Sequence, residues 1–303
     1  MAMTTTQMGI LARVGVDRIV KNYDESPDKI YPRFIGNMFD TNQAYMLAAQ
    51  VSDFSMANVV AETAPISFDT WRLIRSKQYT PVNRAIGYQV SEQAKETDLY
   101  NLAAQPVPKI MLAMDKTEEQ VYANILNLGF STATANLGAD SKSLFATDHT
   151  QDVGSGRNKA STAVAFSYSA LNAAITDLLT QKSEKGDPFP SMGPWNLVVP
   201  PALYLYAKSI VKSVKEPGTP NNNPSQSAEL IQDVIVNPYL TSTTAWFLIP
   251  AKKIENPLFS LKRISRRTKN DYDIDHLVFK FAIFEEYIGS FLTWRNTWGT
   301  EGA

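Results

Sequence analysis

The chain has 303 residues, long for one hydrophobic core and comfortable for two connected domains, and its 44% hydrophobic and 19% charged residues are ordinary for a folded globular protein. Lys plus Arg (29) nearly balances Asp plus Glu (30), so the net charge of −1 gives no overall field to draw in nucleic acid. The absence of cysteine excludes disulfides, zinc–cysteine centres and thiol nucleophiles.

The N-terminus, "MAMTTTQMGILARVGVDRIV", lacks a basic run leading into a long apolar stretch, and no run of about 18 apolar residues follows, so neither a secretory signal nor a membrane span is expected. Residues 1–45 read as an arm with a weak helical face (Leu11, Val14, Ile19, Val20), broken around Pro27 and Pro32. It is either a frayed terminus or a strap reaching a neighbouring subunit. Residues 48–92 look extended. In "TWRLIRSKQYT", Trp71, Leu73, Arg75, Lys77 and Tyr79 alternate with Arg72, Ile74, Ser76 and Gln78, and neither face is uniformly apolar. Such a strand suits a hairpin that leaves the body and rests on another chain, with "GYQVS" at 87–91 leading back.

A helix is predicted over 108–128. Ile110, Met114, Thr117, Val121, Ile125 and Leu128 share one face, Asp115, Lys116, Glu118, Glu119 and Gln120 mostly supply the opposite one, and Gly129 is a C-terminal cap. At about 30 Å it would be a spine. Residues 131–165 are small and polar. "GSGRNKAS" at 154–161 lacks the spacing of a phosphate loop and reads as a loop. Between 167 and 213 the pattern is helix, strand, helix: Ser167 or Ser169 caps Leu171, Ile175, Leu178 and Leu179, and "NLVVPPALYLYAKSIVKS" holds a buried strand, a proline break and a second helix. The Pro- and Asn-rich stretch 215–227 is an exposed loop. Two short strands around a turn are expected in 233–251. A long strand is expected in 276–294, with Phe279, Phe281 and Ile283 on one side, Val278, Ala282 and Phe284 on the other, and both faces covered.

The two histidines each follow an aspartate: Asp148–His149 in "SLFATDHT" and Asp275–His276. An acid beside an imidazole suits a hydrolase or a metal site. However, no G-x-S-x-G, H-E-x-x-H or H-x-H is present. The structural reading has Asp148 or Thr147 fixing a turn with His149. "NDYDIDH" alternates Asp271, Asp273 and Asp275, but His276 stands where a calcium loop needs glycine and Ala282 where it needs glutamate. Upstream lie Lys262, Arg263, Arg266, Arg267 and Lys269. The basic and acidic segments are expected to face solvent or each other, or to pair across a subunit boundary. No metal or cofactor is expected.

Several segments together resemble tailed-bacteriophage major capsid proteins, most closely the Mu-like major head subunit group. They are "VVAETAPI" (59–66), "GYQVSEQAKETDLY" (87–100), "EEQVYANILNLGFST" (118–132), "SLFATDHT" (143–150), "LVVPPAL" (197–203), "VNPYLTSTTAWFLI" (236–249) and "TWRNTWG" (293–299), in the family's order. The resemblance implies an α+β, Hong Kong 97-type capsid fold. Its parts would be an N-terminal arm (1–47), an extended hairpin loop (48–86), a peripheral domain with the spine helix (87–150), an axial domain (151–252) whose tip is at 215–227, and C-terminal peripheral strands (253–303).

The implied function is structural: a major capsid protein, not an enzyme, forming hexamers and pentamers and then an icosahedral shell around double-stranded DNA. Expected partners are copies of itself, a separate scaffolding protein (the family's large amino-terminal scaffolding segment has no counterpart here), a portal and decoration proteins, with DNA touched non-specifically. The location would be the virion, assembled in the bacterial host cytoplasm. Candidate subunit contacts are Phe54, Glu62, Trp71, Arg72, Arg75, Lys77, Tyr79, Lys262, Arg263, Arg266, Arg267, Asp271 and Asp273. Phe54, Trp71 and Tyr79 are the anchors, Lys77 is a candidate for a cross-link, and Asp148 and His149 form a domain-junction turn. The alternatives are an encapsulin-like compartment and, further off, a hydrolase using Asp148 and His149.

Overall fold

A computed structural model describes residues 29–97, 106–190, 193–213 and 227–303, so the helical face expected in 11–20 and almost all of the loop 215–227 lie outside the described residues. The chain is already on the body shortly after Lys29. A 3-10 turn (Tyr31–Arg33) leads into β1 (Asn37–Asp40), and Tyr31, Phe34 and Ile35 are buried. These apolar side chains find a core within the segment expected to be an arm.

β2 (Met46–Val51) and β3 (Leu73–Tyr79) pair antiparallel, with Met46 opposite Tyr79 and Val51 opposite Leu73. The loop 52–72 between them forms no strand, so Trp71 and Arg72 precede the alternation expected to include them. β4 (Val82–Ser91) and α1 (Glu92–Glu96) follow.

The spine, α2 (Pro106–Asn127), is 22 residues, about 33 Å long. Its buried face is rotated from the expected one. Met111, Met114, Asp115, Glu118, Glu119, Tyr122, Ile125 and Leu126 are buried, whereas Thr117 and Leu128 are exposed. Asp115 and Glu118, expected on the outer face, turn inward because cations meet them there, and Glu119 does so to accept the amides of Ile30 and Tyr31.

Downstream are β5 (His149–Thr150), β6 (Ser155–Gly156) and α3 (Tyr168–Leu179), where the Ser167 hydroxyl accepts the Ala170 amide at 3.2 Å. Then come β7 (Trp195–Val199), α4 (Tyr204–Val211), α5 (Ser227–Leu230), β8 (Ile231–Val236), β9 (Trp246–Pro250), β10 (Leu258–Asp273), β11 (Val278–Phe291) and β12 (Trp298–Thr300).

Two four-stranded sheets organise these elements. The first has the order β1-β10-β11-β4 and the second β12-β9-β7-β8. The two strands expected in 233–251 both form, but β7 lies between them, parallel to β8 and antiparallel to β9. β7 and β9 are buried on both faces, and successive side chains enter different cores. Val198, Phe247 and Ile249 join Tyr122, Leu126, Phe145, Leu258, Tyr287 and Phe291 in a core bridging both sheets. Trp195, Leu197, Val199, Trp246 and Leu248 pack under α3 and α4. Fully burying each such side chain stabilises by about 1.5–3 kcal/mol.

β11 is covered by α2 on one face and, on the other, only toward its C-terminal end, where Ile288 packs with Tyr79, Phe259 and Leu261. Phe281 and Ile283 lie against Val107, Ile110, Met111 and Met114 of α2. On the other face Phe284, expected to be covered, is half-buried with the Lys269 ammonium 5.5 Å from its ring centroid, because no second layer packs there.

Candidate functional site

The side chains of the sequence-adjacent Asp148 and His149 take different hydrogen-bond partners. Asp148 is exposed and hydrogen-bonds Lys142, which holds its carboxyl below the ordinary carboxylate range. His149 is fully buried. Its Nδ1 lies 2.7 Å from Asp140 Oδ2, its Nε2 lies 3.0 Å from Asn158 Oδ1, and its ring stacks on Trp294 at 4.4 Å and 5°. Asn158 also accepts the Ala146 amide and donates to the carbonyls of Leu144 and Trp294, so its amide orientation is fixed. His276 pairs with Asp273 at 3.0 Å on the surface rather than with Asp275.

Two apolar strands would normally dock through side chains, but the projecting hairpin meets the body mostly through polar groups. Glu184, buried in the turn after α3, accepts from Gln50 of β2 at 2.8 Å, Arg75 of β3 at 3.1 Å and Arg295 at 2.9 Å on one oxygen, and from the Asp152 amide on the other. Further out, Arg72 bonds Asp152 at 2.5 Å, and Lys185 bonds both oxygens of Asp69 at 2.5 and 2.6 Å. Asp69 in turn accepts the amides of Ser55 and Thr70, tying the loop's outgoing and returning arms together; the Lys185 contact, with these amides, holds its carboxyl well below the ordinary range.

Lys262, Arg263 and Arg266 of the basic run have ion-pair partners within the same chain. Glu118 of α2 meets Lys29 at 2.7 Å, Lys262 at 3.3 Å and Arg266 at 3.8 Å, and Arg266 also reaches Asp115 at 2.9 Å and Glu285 at 3.4 Å. Burial alone would raise the Glu118 carboxyl, but Lys262, Lys29 and Arg266 outweigh it and hold it below its ordinary value. For Glu285 burial wins and the carboxyl is raised. Arg263 pairs with Glu286 at 3.0 Å. The expectation that the basic and acidic segments face each other is thus corrected: the acids of α2 and β11 take the basic residues, and Asp273 goes to Lys280 and His276.

Arg267 and Lys269 make no ion pair among the described residues, nor do Asp53, Glu62 and Asp271.

Among the anchors, Phe54 and Trp71 are exposed, while Tyr79 is buried against Phe259 and its hydroxyl donates to the Phe291 carbonyl at 2.6 Å. Lys77 turns inward to the Leu137 carbonyl and over the Tyr79 ring, and burial lowers its amine. The largest apolar exposure is on loop 52–72, where Val59 is 101% and Phe68 93% exposed, beside Met56 and Ile66. The cleft lined by Gln50, Arg75, Asp140, Phe291 and Trp294 holds about 10 Å³, room for one water. No cluster of three or more His, Asp or Glu that could hold a metal occurs among the described residues.

Sequence reasoning missed Glu184, Asn158, Asp140, Lys185, Asp69 and Asp152. None belongs to a motif with a recognisable spacing, and the partners of Glu184, Lys185, Asp69 and Asp152 include residues 80 or more positions away.

Residues 75–287 match the sequence family described as phage capsid protein. No curated protein matches. Among solved structures, the chain is similar to the mature capsid of bacteriophage PhiM1 (TM-score 0.57, 10% identity, 90% of this chain and 87% of that one). It is similar to the virus-like particle of Pyrococcus furiosus (0.53, 12%, 93% and 95%). It also resembles the SrpI encapsulin of Synechococcus elongatus (0.50, 10%, 88% and 85%). The shared fold is the Hong Kong 97-type α+β capsid fold.

Proposed function

The chain belongs to the phage capsid protein family, and from that premise we propose that it is the major capsid protein of a tailed double-stranded DNA phage, its copies closing into an icosahedral shell of hexamers and pentamers. The observation that carries the mechanism is the hairpin loop 52–72. It presents Phe54, Met56, Val59, Ile66, Phe68 and Trp71 to solvent with no core of its own. Six large apolar side chains exposed on one loop suit a protein contact.

The loop clasps a neighbouring copy. It carries Asp53 and Glu62 without ion-pair partners, and no Lys or Arg between 52 and 71. The uncovered face of the first sheet offers the complement: Phe284 and Ala282 beside Ala85 and Gly87, with Arg267 and Lys269 along the edge. Each contact is weak, but a subunit that touches several neighbours adds them in effect. In this scheme residues 48–86 are the clasp, 87–150 and 253–303 the peripheral domain, and 151–252 the axial domain with its tip at 215–227. Asp148 and His149 belong to the turn between these domains. A scaffolding protein, a portal and decoration proteins are the further partners, DNA is touched non-specifically, and assembly takes place in the bacterial host cytoplasm.

The likeness to an encapsulin supports a second reading, a compartment loaded with protein. Nucleic-acid absorbance or enzyme cargo in native particles separates the two. For the clasp itself, deleting residues 56–70 is expected to leave a folded subunit, by circular dichroism, that closes no shells by electron microscopy. Complete particles from that variant would overturn the clasp.

A further inference from the structure

We propose that the hairpin is held before assembly by a two-stage electrostatic latch on its own chain: a permanent pivot at Glu184, and a releasable outer catch made by Lys185–Asp69 and Arg72–Asp152. The proposal rests on the clasp reading, since it says how the clasp is aimed before a neighbour arrives.

The two stages differ in environment. At the pivot, Glu184, Arg75 and Arg295 are nearly inaccessible to water, with side chains 2%, 13% and 6% exposed. Gln50 and the Asp152 amide complete the shell around the carboxylate. A charge this enclosed keeps its partners over a wide range of salt, and removing one partner is costly. At the catch, Arg72 is 62% and Asp152 21% exposed, and Asp69 is 31% exposed against 14% for Lys185, so water and ions reach at least one partner of each pair. Exposed pairs are individually weak and screened.

No hydrophobic cluster recruits any residue from 49 to 78, so beyond the strand pairing nothing apolar fixes the outer hairpin. Asp69 gives the catch leverage. Because it ties Ser55 to Thr70, releasing Lys185 frees both arms of the loop together. The hairpin then swings about Glu184 without coming away from the body. With the catch closed its apolar side chains stay exposed, so the catch orients the loop without burying the surface meant for a neighbour.

The absence of cysteine allows a clean distance measurement. Val59→Cys and Val153→Cys, both exposed positions, take spin labels on the loop and on the ridge of unassembled subunits. In low salt a narrow inter-label distance is expected. It is lost at about 1 M salt, where the screening length falls to about 3 Å. Lys185→Gln with Arg72→Gln loses it at any salt, while Lys185→Arg with Arg72→Lys keeps it. An unchanged narrow distance in the double Gln variant overturns the latch, whatever its particles look like. If the latch behaves as stated and no variant, including the parent, forms shells, the clasp reading fails and the latch stands.

Discussion

Asn158 uses its whole side-chain amide. Its oxygen accepts the Ala146 amide and faces His149, and its nitrogen serves the Leu144 and Trp294 carbonyls and the Thr297 hydroxyl. Asn158→Ala strands several buried polar groups, each costing about 1–3 kcal/mol, so a loss of about 3 kcal/mol is expected. Asp148→Ala removes only an exposed pair with Lys142 and should cost under about 1 kcal/mol. Chemical denaturation of the two variants checks this; a larger loss from Asp148→Ala would mean the turn is held differently. The sequence pointed to Asp148 because it is adjacent. The fold instead brings in Asp140, nine residues earlier, and Asn158, nine later. Adjacency along an extended segment sends neighbouring side chains to opposite faces, so the buried imidazole and exposed carboxylate are what alternation dictates.

At the scale of elements, the spine helix was legible in its limits and not in its rotation. Period alone favoured an apolar stripe through Thr117 and Leu128. The observed face includes Asp115 and Glu118 because Lys29, Lys262 and Arg266 arrive from either end of the chain to pair with them. No local pattern encodes such partners. The helix rests on β11 at Gly289, where a Cβ would come within 2.7 Å of the Tyr122 ring and 3.0 Å of Ile125. Gly289→Ala should therefore force the helix off the strand and destabilise by about 1–3 kcal/mol, seen as a lowered unfolding midpoint with the slope unchanged. An unaltered midpoint would show that the Tyr122 ring yields without cost. Strand β3 was legible from its mixed alternation, which suits no core strand, but its partner β2 was not. Nor was the docking to Glu184, because Arg75, Glu184 and Arg295 lie about a hundred residues apart in sequence.

For the whole molecule, two sheets share one bridging core while an apolar loop is left without any. A chain that buries Trp195, Trp246 and Trp298 but exposes Phe54, Phe68 and Trp71 is complete as a fold and incomplete as a surface. The order of short motifs made the fold class readable before any contact was known. Which surfaces meet between copies had no comparable signal. The central claim is that the chain is a self-assembling shell subunit. Sedimentation velocity of the purified protein over a range of concentrations tests it most directly. Hexamers, pentamers or closed particles are the predicted species, and a monomer alone at every concentration would contradict the account.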